Sequence, residues 1–566
     1  MTPVNIAASL QKHARLRPDQ PALYVPSGKQ TDVDLLTYKT WTFGELAGEV
    51  RELAAGLVQC GIGRGVRTVL MVPPSPEFFQ LTFALLHVGA VPVLVDPGMG
   101  VRNLGKCLAE AEPEAFVGIS KAHVARLLLG WSKGSLKTLV TVGRKFGWGG
   151  RTLADVYRAG RGADADRYHE TALTTAEDPA AILFTSGSTG VPKGAVYSHR
   201  TFVTQVELLR TAFGIEPGEV DLCTFPLFAL FAPALGMTAI IPRMDATRPA
   251  RVDWREVDGP VRRFGVTNLF GSPALLNRVS RDIVAAGLAR PAAPRLPTLK
   301  RVLSAGAPVS PTVLERFRGL LGPDARIFTP YGATESLPVA VIGSDEVLSE
   351  TRFQTAVGAG TCVGRPVSGI DVRIIRISDD PISAWDEALV LPPGQIGEIA
   401  VRGPMVTREY FRRPDLTALA KISDAETDGV WHRMGDVGYF DPQGRLWFCG
   451  RKSHRVVLDE ETLFTDPVEG IFNEHPGVFR TALVGVRRGG RMEPVVCVEC
   501  ERTAPRSSAE GLLRELRERG AGFEATRRIR TFLIHKAFPV DIRHNSKIFR
   551  EKLAVWAAKT LGGTPS

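Results

Sequence analysis

Cysteine is scarce in this chain: 7 among 566 residues, an odd number and widely spaced. The closest pair, Cys497 and Cys500, sits in an apolar stretch from Pro494 that reads as a strand. No second Cys or His pair follows at zinc spacing. That argues against a zinc ribbon or a disulfide scaffold and for core thiols in a reducing compartment. Long apolar runs are lacking too, with one exception. Leu222 to Pro242 carries no charge, but Pro226 and Pro233 interrupt it. It reads as buried core or the wall of an apolar pocket rather than a membrane span. No apolar core precedes the charges between Met1 and Gln20, so no signal peptide is expected and a cytoplasmic location is. There is no basic tail or stripe. The net charge of +10 and pI near 9.3 are spread along the chain, enough to attract anionic substrates without implying nucleic acid. Internal repeats are missing as well.

What is present is ordinary globular composition, 44% hydrophobic, over a length that calls for at least two domains. Asn5 to Arg17 has helical apolar spacing through Ile6, Leu10 and Ala14. Short strands follow at Ala22–Val25 and Trp41–Phe43. Thr42 and Glu45 form a capping-box pattern that opens a helix. Beyond them a strand at Val66–Val72, a helix at Pro76–Gly89 and a strand at Val91–Val95 alternate as in parallel α/β layers. The alternation resumes with a helix from Thr201, a strand near Val266–Phe270, a helix from Pro273 and a strand at Arg301–Ser304. From Val363 the texture changes to short strands bounded by Gly and Pro. The expected fold is therefore α/β: a large N-terminal domain of layered α/β sheets with a small β subdomain, residues 1–451. A small, mobile α+β C-terminal domain, residues 452–566, follows a boundary at Lys452-Ser453-His454.

The densest chemical signal lies between Ile182 and Arg200. An apolar strand runs into Thr185-Ser186-Gly187-Ser188-Thr189-Gly190, then Val191-Pro192-Lys193-Gly194. Glycines let backbone N–H groups approach phosphate oxygens, hydroxyls add neutral donors and a lysine supplies a point charge. The pattern is not the P-loop G-x-x-x-x-G-K-[ST], because Pro192 precedes Lys193 and Gly194 follows it. A flexible surface loop is the bland alternative. The stretch resembles the signature phosphate loop of the adenylate-forming superfamily: acyl-CoA synthetases, peptide-synthetase adenylation domains and luciferases. These enzymes use ATP to activate a carboxylate as an acyl-AMP.

Four further segments carry the resemblance, in order, over nearly the whole chain. Ser304-Ala305-Gly306-Ala307-Pro308 resembles the adenine-binding segment, where small residues let a planar base lie against the backbone. In Tyr331-Gly332-Ala333-Thr334-Glu335 the resemblance implies that Tyr331 stacks on adenine and Thr334 donates to a phosphate oxygen. It implies that Glu335 holds Mg²⁺, a cation that favours oxygen ligands shared with phosphates. Gly435-Asp436 resembles the ribose-binding turn, with Arg451 reaching the same ribose or the α-phosphate. Lys547, within Arg543-His544-Asn545-Ser546-Lys547, matches the C-terminal lysine that contacts substrate carboxylate and α-phosphate. The resemblance makes Lys547, Lys193 and Glu335 the catalytic set.

The chain also departs from the acyl-CoA synthetase pattern. Ala229 stands where those enzymes place a histidine. Ser453 takes the place of the usual hinge Asp or Lys, and Glu460 that of a glycine lining the CoA tunnel. Together with the wording of the phosphate loop, these features are similar to the olefin β-lactone synthetases of bacterial hydrocarbon biosynthesis. That resemblance implies a long-chain 2-alkyl-3-hydroxy acid as substrate. Its acyl-AMP would be closed to a β-lactone by its own 3-hydroxyl, without CoA. It implies as pathway partners a thiolase-like condensing enzyme, a reductase and a lactone decarboxylase. His199 and His454 are candidates by position for the base, and the departing phosphate is another. The alternatives are a long-chain acyl-CoA or acyl-AMP ligase and a non-catalytic binding protein of the same fold.

Overall fold

The computed structural model describes residues 3–27, 35–162, 170–185, 192–289, 294–501, 509–540 and 547–565. Two large sheets organise most of them. The first has seven strands, in the order Arg151–Thr152, Thr138–Val142, Ala115–Ile119, Arg67–Met71, Val91–Val95, Pro179–Thr185 and Lys193–Ser198. All neighbours are parallel except the last pair, an antiparallel hairpin that sets Thr185 opposite Lys193. Side chains alternate between its faces, as period-two strands require. Leu70, Ala115 and Val117 face one core, and Val69, Val93, Phe116 and Ile182 face another.

Helices cover both faces. Phe43–Gln59 and Pro76–His87 pack on the first face, Val101–Ala111 and Ser120–Leu129 on the second. The Thr42 capping box forms as expected. Its hydroxyl accepts from Glu45 N–H at 3.1 Å, and the Glu45 carboxylate accepts from Thr42 N–H at 2.8 Å. Phe43 is accordingly the first helical residue and not the end of a strand, because the cap fixes where the chain turns. The first helix is shorter than its apolar spacing suggests, Ala8–Leu16, with Leu10 fully buried.

The second sheet has 14 strands. Its parallel centre, Val220–Cys223, Thr238–Ile240, Asn268–Phe270 and Arg301–Leu303, backs onto the first sheet through the largest core. Its other face carries the helices Arg255–Phe264, Pro273–Ala285 and Pro311–Arg318. The uncharged run from Leu222 breaks into a strand, the short helical turns Pro226–Ala229 and Phe231–Ala234, and another strand. Among the described residues no helix is long and apolar enough to cross a membrane.

The antiparallel strands after Val363 are present, but they do not stand as a separate sheet. Strand Thr361–Pro366 pairs with Ser336–Gly343 and so joins them to the same large sheet. The chain past Arg451 makes a turn of 3-10 helix at Lys452–His454. It then forms a four-stranded sheet with helices Thr465–Asn473, Ala509–Ala521 and Arg550–Leu561. Cys497 and Cys500 lie on one of its strands as free thiols.

Candidate active site

One cavity of about 1110 Å³ runs between the two sheets and reaches the four-stranded unit. Its polar end is built by three local devices. The first is the hairpin between strands Arg326–Ala333 and Ser336–Gly343, whose turn exposes Gly332, Ala333, Thr334 and Glu335 to the cavity. The second is the hairpin of strands Gly429–Phe440 and Leu446–Arg451, whose register sets Asp436 opposite Arg451. The third is the close of the seven-stranded sheet, where Lys193 begins its strand.

Asp436 and Arg451 meet as the sequence suggests. Asp436 is buried, its Oδ1 2.9 Å from the Arg451 guanidinium and its Oδ2 accepting from the Tyr331 hydroxyl at 2.6 Å. Burial pushes the Asp436 carboxyl up, while Arg451, Tyr331 and the nearby Lys547 ammonium oppose that rise. Tyr331 therefore also braces Asp436 through its hydroxyl, a role beyond the stacking expected of its ring. Lys547 of the C-terminal unit lines the cavity, together with Lys452 and Ser453.

Glu335 is buried beside a second group of residues that the sequence did not single out. Its Oε1 accepts from the Tyr410 hydroxyl at 2.6 Å, and the Tyr410 ring faces two lysines. Lys193 Nζ lies 4.9 Å from the ring centroid and Lys421 Nζ 6.0 Å. Lys421 donates to the Thr407 hydroxyl at 3.3 Å, and Thr407 donates its N–H to the Glu335 carbonyl at 2.9 Å. Burial pushes the Lys193 ammonium down, with Glu335 opposing. It pushes Lys421 down further, to about 7. Tyr410 reaches this place because its segment pairs with the Lys193–Ser198 strand: Phe411 N–H donates to Gly194 O at 2.7 Å. The available signal for Lys421 was a lone charge between Leu419, Ala420 and Ile422.

Other expected residues fall out differently. Gly306 lines the cavity with φ of +94°, a conformation glycine adopts without strain, and Ala305 lines it too. Ala307 and Pro308 follow but are not part of the wall. Ser186, Gly187, Ser188, Thr189 and Gly190 lie outside the described residues; Thr185 closes the strand that leads into them. Neither imidazole proposed as a base lines the cavity. His199 is fully buried, its Nδ1 accepting from Ile6 N–H at 3.3 Å, and burial drives it down to about 4. His454 is driven to about 3 by burial and by Arg550 and Arg451. Glu460 is also remote from the wall. It sits on the turn between strands Val456–Val457 and Thr462–Leu463 and pairs with Arg528 at 2.8 Å.

Among the described residues no group of three or more His, Cys, Asp or Glu could hold a metal by itself. Glu335 offers one carboxylate at the cavity wall, which fits Mg²⁺. That ion keeps waters and takes one or two carboxylates together with substrate phosphates. This end of the cavity wall carries Lys193, Arg451, Lys547 and Glu335, whereas Lys421, Asp436 and Tyr331 are not part of the wall. It is a cationic end suited to phosphate and carboxylate, opening into an apolar pocket walled by Phe225, Phe228, Phe231 and Phe270. Phe228 stacks on Phe270 at 4.1 Å between centroids.

Comparison with known proteins agrees with that chemistry. Residues 10–411 match the AMP-binding enzyme family. The chain is 55% identical over 99% of its length to an olefin β-lactone synthetase of Stenotrophomonas maltophilia, covering 99% of that protein. It is 54% identical over 98% of its length to the olefin β-lactone synthetase of Xanthomonas campestris, covering 98% of it. Among solved structures, an amide bond synthetase from Marinactinospora thermotolerans shares the fold. Its TM-score is 0.76 at 23% identity, over 98% of this chain and 99% of that one. With a cationic end opening into an apolar cavity, the chain belongs to the AMP-binding enzyme family, on its olefin β-lactone synthetase branch.

Proposed function

We propose that this chain is an ATP-dependent β-lactone synthetase acting on a long-chain 2-alkyl-3-hydroxy acid. The observation that carries the reading is the convergence of Lys193, Glu335, Arg451 and Lys547 at the mouth of one large apolar cavity, in a chain more than half identical to such enzymes. ATP is the first substrate. Gly306 and the Tyr331 ring receive its base, Asp436 and Arg451 its ribose, and Thr334 and Lys193 its phosphates. Glu335 is the residue that would hold Mg²⁺, which when bound offsets phosphate charge. A carboxylate must approach an anionic α-phosphate. Lys547 lies where it can offset that repulsion, most of all as charge builds in the transition state. The carboxylate oxygen forms a bond to the α-phosphorus and pyrophosphate leaves.

The substrate's own 3-hydroxyl then attacks the acyl carbon. The oxygen–carbon bond of the lactone forms, the bond to the AMP oxygen breaks, and the hydroxyl proton leaves with AMP. An internal nucleophile gains from proximity, which helps offset the strain of a four-membered ring. Enzymes that condense, reduce and later decarboxylate these acyl chains would be its pathway partners, in the cytoplasm. Domain division at Lys452–His454 would let the C-terminal unit carry Lys547 in and out.

The test is mass spectrometry of products from a 2-alkyl-3-hydroxy acid and ATP, with and without CoA. A product lighter than the acid by one water, with stoichiometric AMP and no need of CoA, is expected. A thioester formed at an equal or greater rate would make the chain an acyl-CoA ligase.

A further inference from the structure

The cavity does not stay on one side of the seven-stranded sheet. Along strand Arg67–Met71 successive side chains point to opposite faces, yet both Leu70 and Met71 line it. Leu70 belongs to the core between the sheets, Met71 to the core on the outer face. The cavity thus crosses the carboxyl ends of the parallel strands, where Val95 and Phe184 also line it from the outer side.

Each side has its own apolar arm. The inner arm lies among Phe78, Phe83 and Leu86 of helix Pro76–His87, Val206, Phe228 and Phe231. The outer arm lies between Leu104 of helix Val101–Ala111 and Ala122 and Ala125 of helix Ser120–Leu129, with Trp131 as its floor. Gly105 admits that indole: a Cβ there would come within 3.1 Å of Trp131 Nε1. Ala122 and Ala125 share a helix face with Leu129, and Leu128 stands beside it. Both leucines are exposed, Leu128 by 80%. Apolar side chains thus continue along that helix beyond the residues that line the arm.

A single unbranched chain fills one arm. Two chains leaving adjacent carbons of one acid fill both. We propose that the two arms are separate subsites for the two hydrocarbon chains of the substrate, one on each face of the sheet. Ala125 limits the outer chain and Val206 the inner. The inference rests on the reading of the substrate as a 2-alkyl-3-hydroxy acid.

The test uses full-length Ala125→Trp and Val206→Phe with acids in which the chains on C2 and C3 are lengthened independently. Pyrophosphate release is the readout, because it precedes ring closure. Each variant is expected to lose at least about tenfold in kcat/KM for acids long on one carbon and to spare acids long on the other. The two variants should select opposite carbons. A wild-type melting temperature and wild-type ATP affinity in both variants control for folding. If one variant fails that control, Ala122→Leu replaces it in the outer arm, or Leu230→Trp in the inner, where Leu230 also lines the cavity. Variants that penalise the same chain, or that penalise both equally, overturn the inference. Wild type that adenylates unbranched acids but no 2-alkyl acid overturns the substrate reading instead.

Discussion

Replacing Asp436 by alanine separates what that residue does for the fold from what it does for nucleotide. In the fold it accepts a 2.6 Å hydrogen bond from the half-buried Tyr331 phenol and lies 2.9 Å from Arg451. A hydrogen bond to a charged acceptor is worth about 1.5–3 kcal/mol. The Arg451 side chain is 36% exposed, so solvent screening reduces its pair to about 1 kcal/mol or less. Asp436→Ala should therefore destabilise the protein by about 2–4 kcal/mol. Its proposed contact with ribose adds a second loss, of about 10- to 100-fold in ATP affinity. Tyr331→Phe is the control. It removes the hydroxyl and so should reproduce most of the stability loss, but it leaves the carboxylate and an aromatic ring, so ATP affinity should stay near wild type. Thermal melting and calorimetric titration with ATP read the two effects independently. Wild-type ATP affinity in Asp436→Ala, with a lowered melting temperature, would refute the ribose assignment and leave Asp436 as a brace for Tyr331 and Arg451.

Lys547→Ala should slow acyl-AMP formation by about 100-fold or more while ATP affinity changes little, because its contact is proposed for the transition state; pre-steady-state formation at the wild-type rate would discard it. Lys421 has a folded pKa near 7, below the value of about 10.4 for an unfolded lysine, so the unfolded chain holds one more proton between those values and stability should rise with pH across that window. Lys421→Met should remove that slope in urea melts compared at pH 7 and 9.5, and an unchanged slope would show that the ammonium is not desolvated. His199→Asn should lower the melting temperature, since it disturbs the bond to Ile6 N–H, but leave the pH profile of lactone formation unaltered. A lost acidic limb in that profile would return the imidazole to the reaction.

The α/β layers were legible because each strand and helix near the site carries its own periodicity, from Val91–Val95 to Pro273–Ala285. Caps were legible for the same local reason. The joining of the antiparallel strands to the large sheet was not, since it depends on a short register, Ala340 with Pro366 and Val341 with Arg365, that leaves no pattern in either segment. Asp436 and Arg451 were found through their resemblance to a known motif, and one hairpin register sets them opposite each other. Tyr410 and Lys421 were not, because their approach to Glu335 is made by tertiary pairing of distant segments. The histidines failed for the converse reason. Position beside a motif says nothing of direction, and His199, the first residue of helix His199–Phe213, turns into the core.

That outcome narrows the question of where the hydroxyl proton goes. Neither candidate reaches the cavity, and among the described residues the imidazole that lines it is that of His432. Its Nδ1 lies 3.2 Å from the Ala420 carbonyl, which can only accept, so Nδ1 carries the proton and Nε2 is the basic atom. Burial and the neighbouring Lys421 ammonium drive this imidazole well below its ordinary range. A base that resists protonation so strongly is a poor match for an alcohol. The leaving phosphate has the better claim. It becomes more basic as the acyl–oxygen bond breaks, with a second ionisation near pH 6. It is also carried by the same substrate that carries the hydroxyl. Lys193 and Lys547 line the cavity where that phosphate is proposed to sit during adenylation, with Arg451 beside them on the wall. The same cations would then hold the proton acceptor in the closing step, so nucleophile, leaving group and base all arrive with the acyl-AMP. On this account the enzyme's contribution to closure is positional: it seats two chains, shields the anhydride from water and keeps the phosphate beside the hydroxyl.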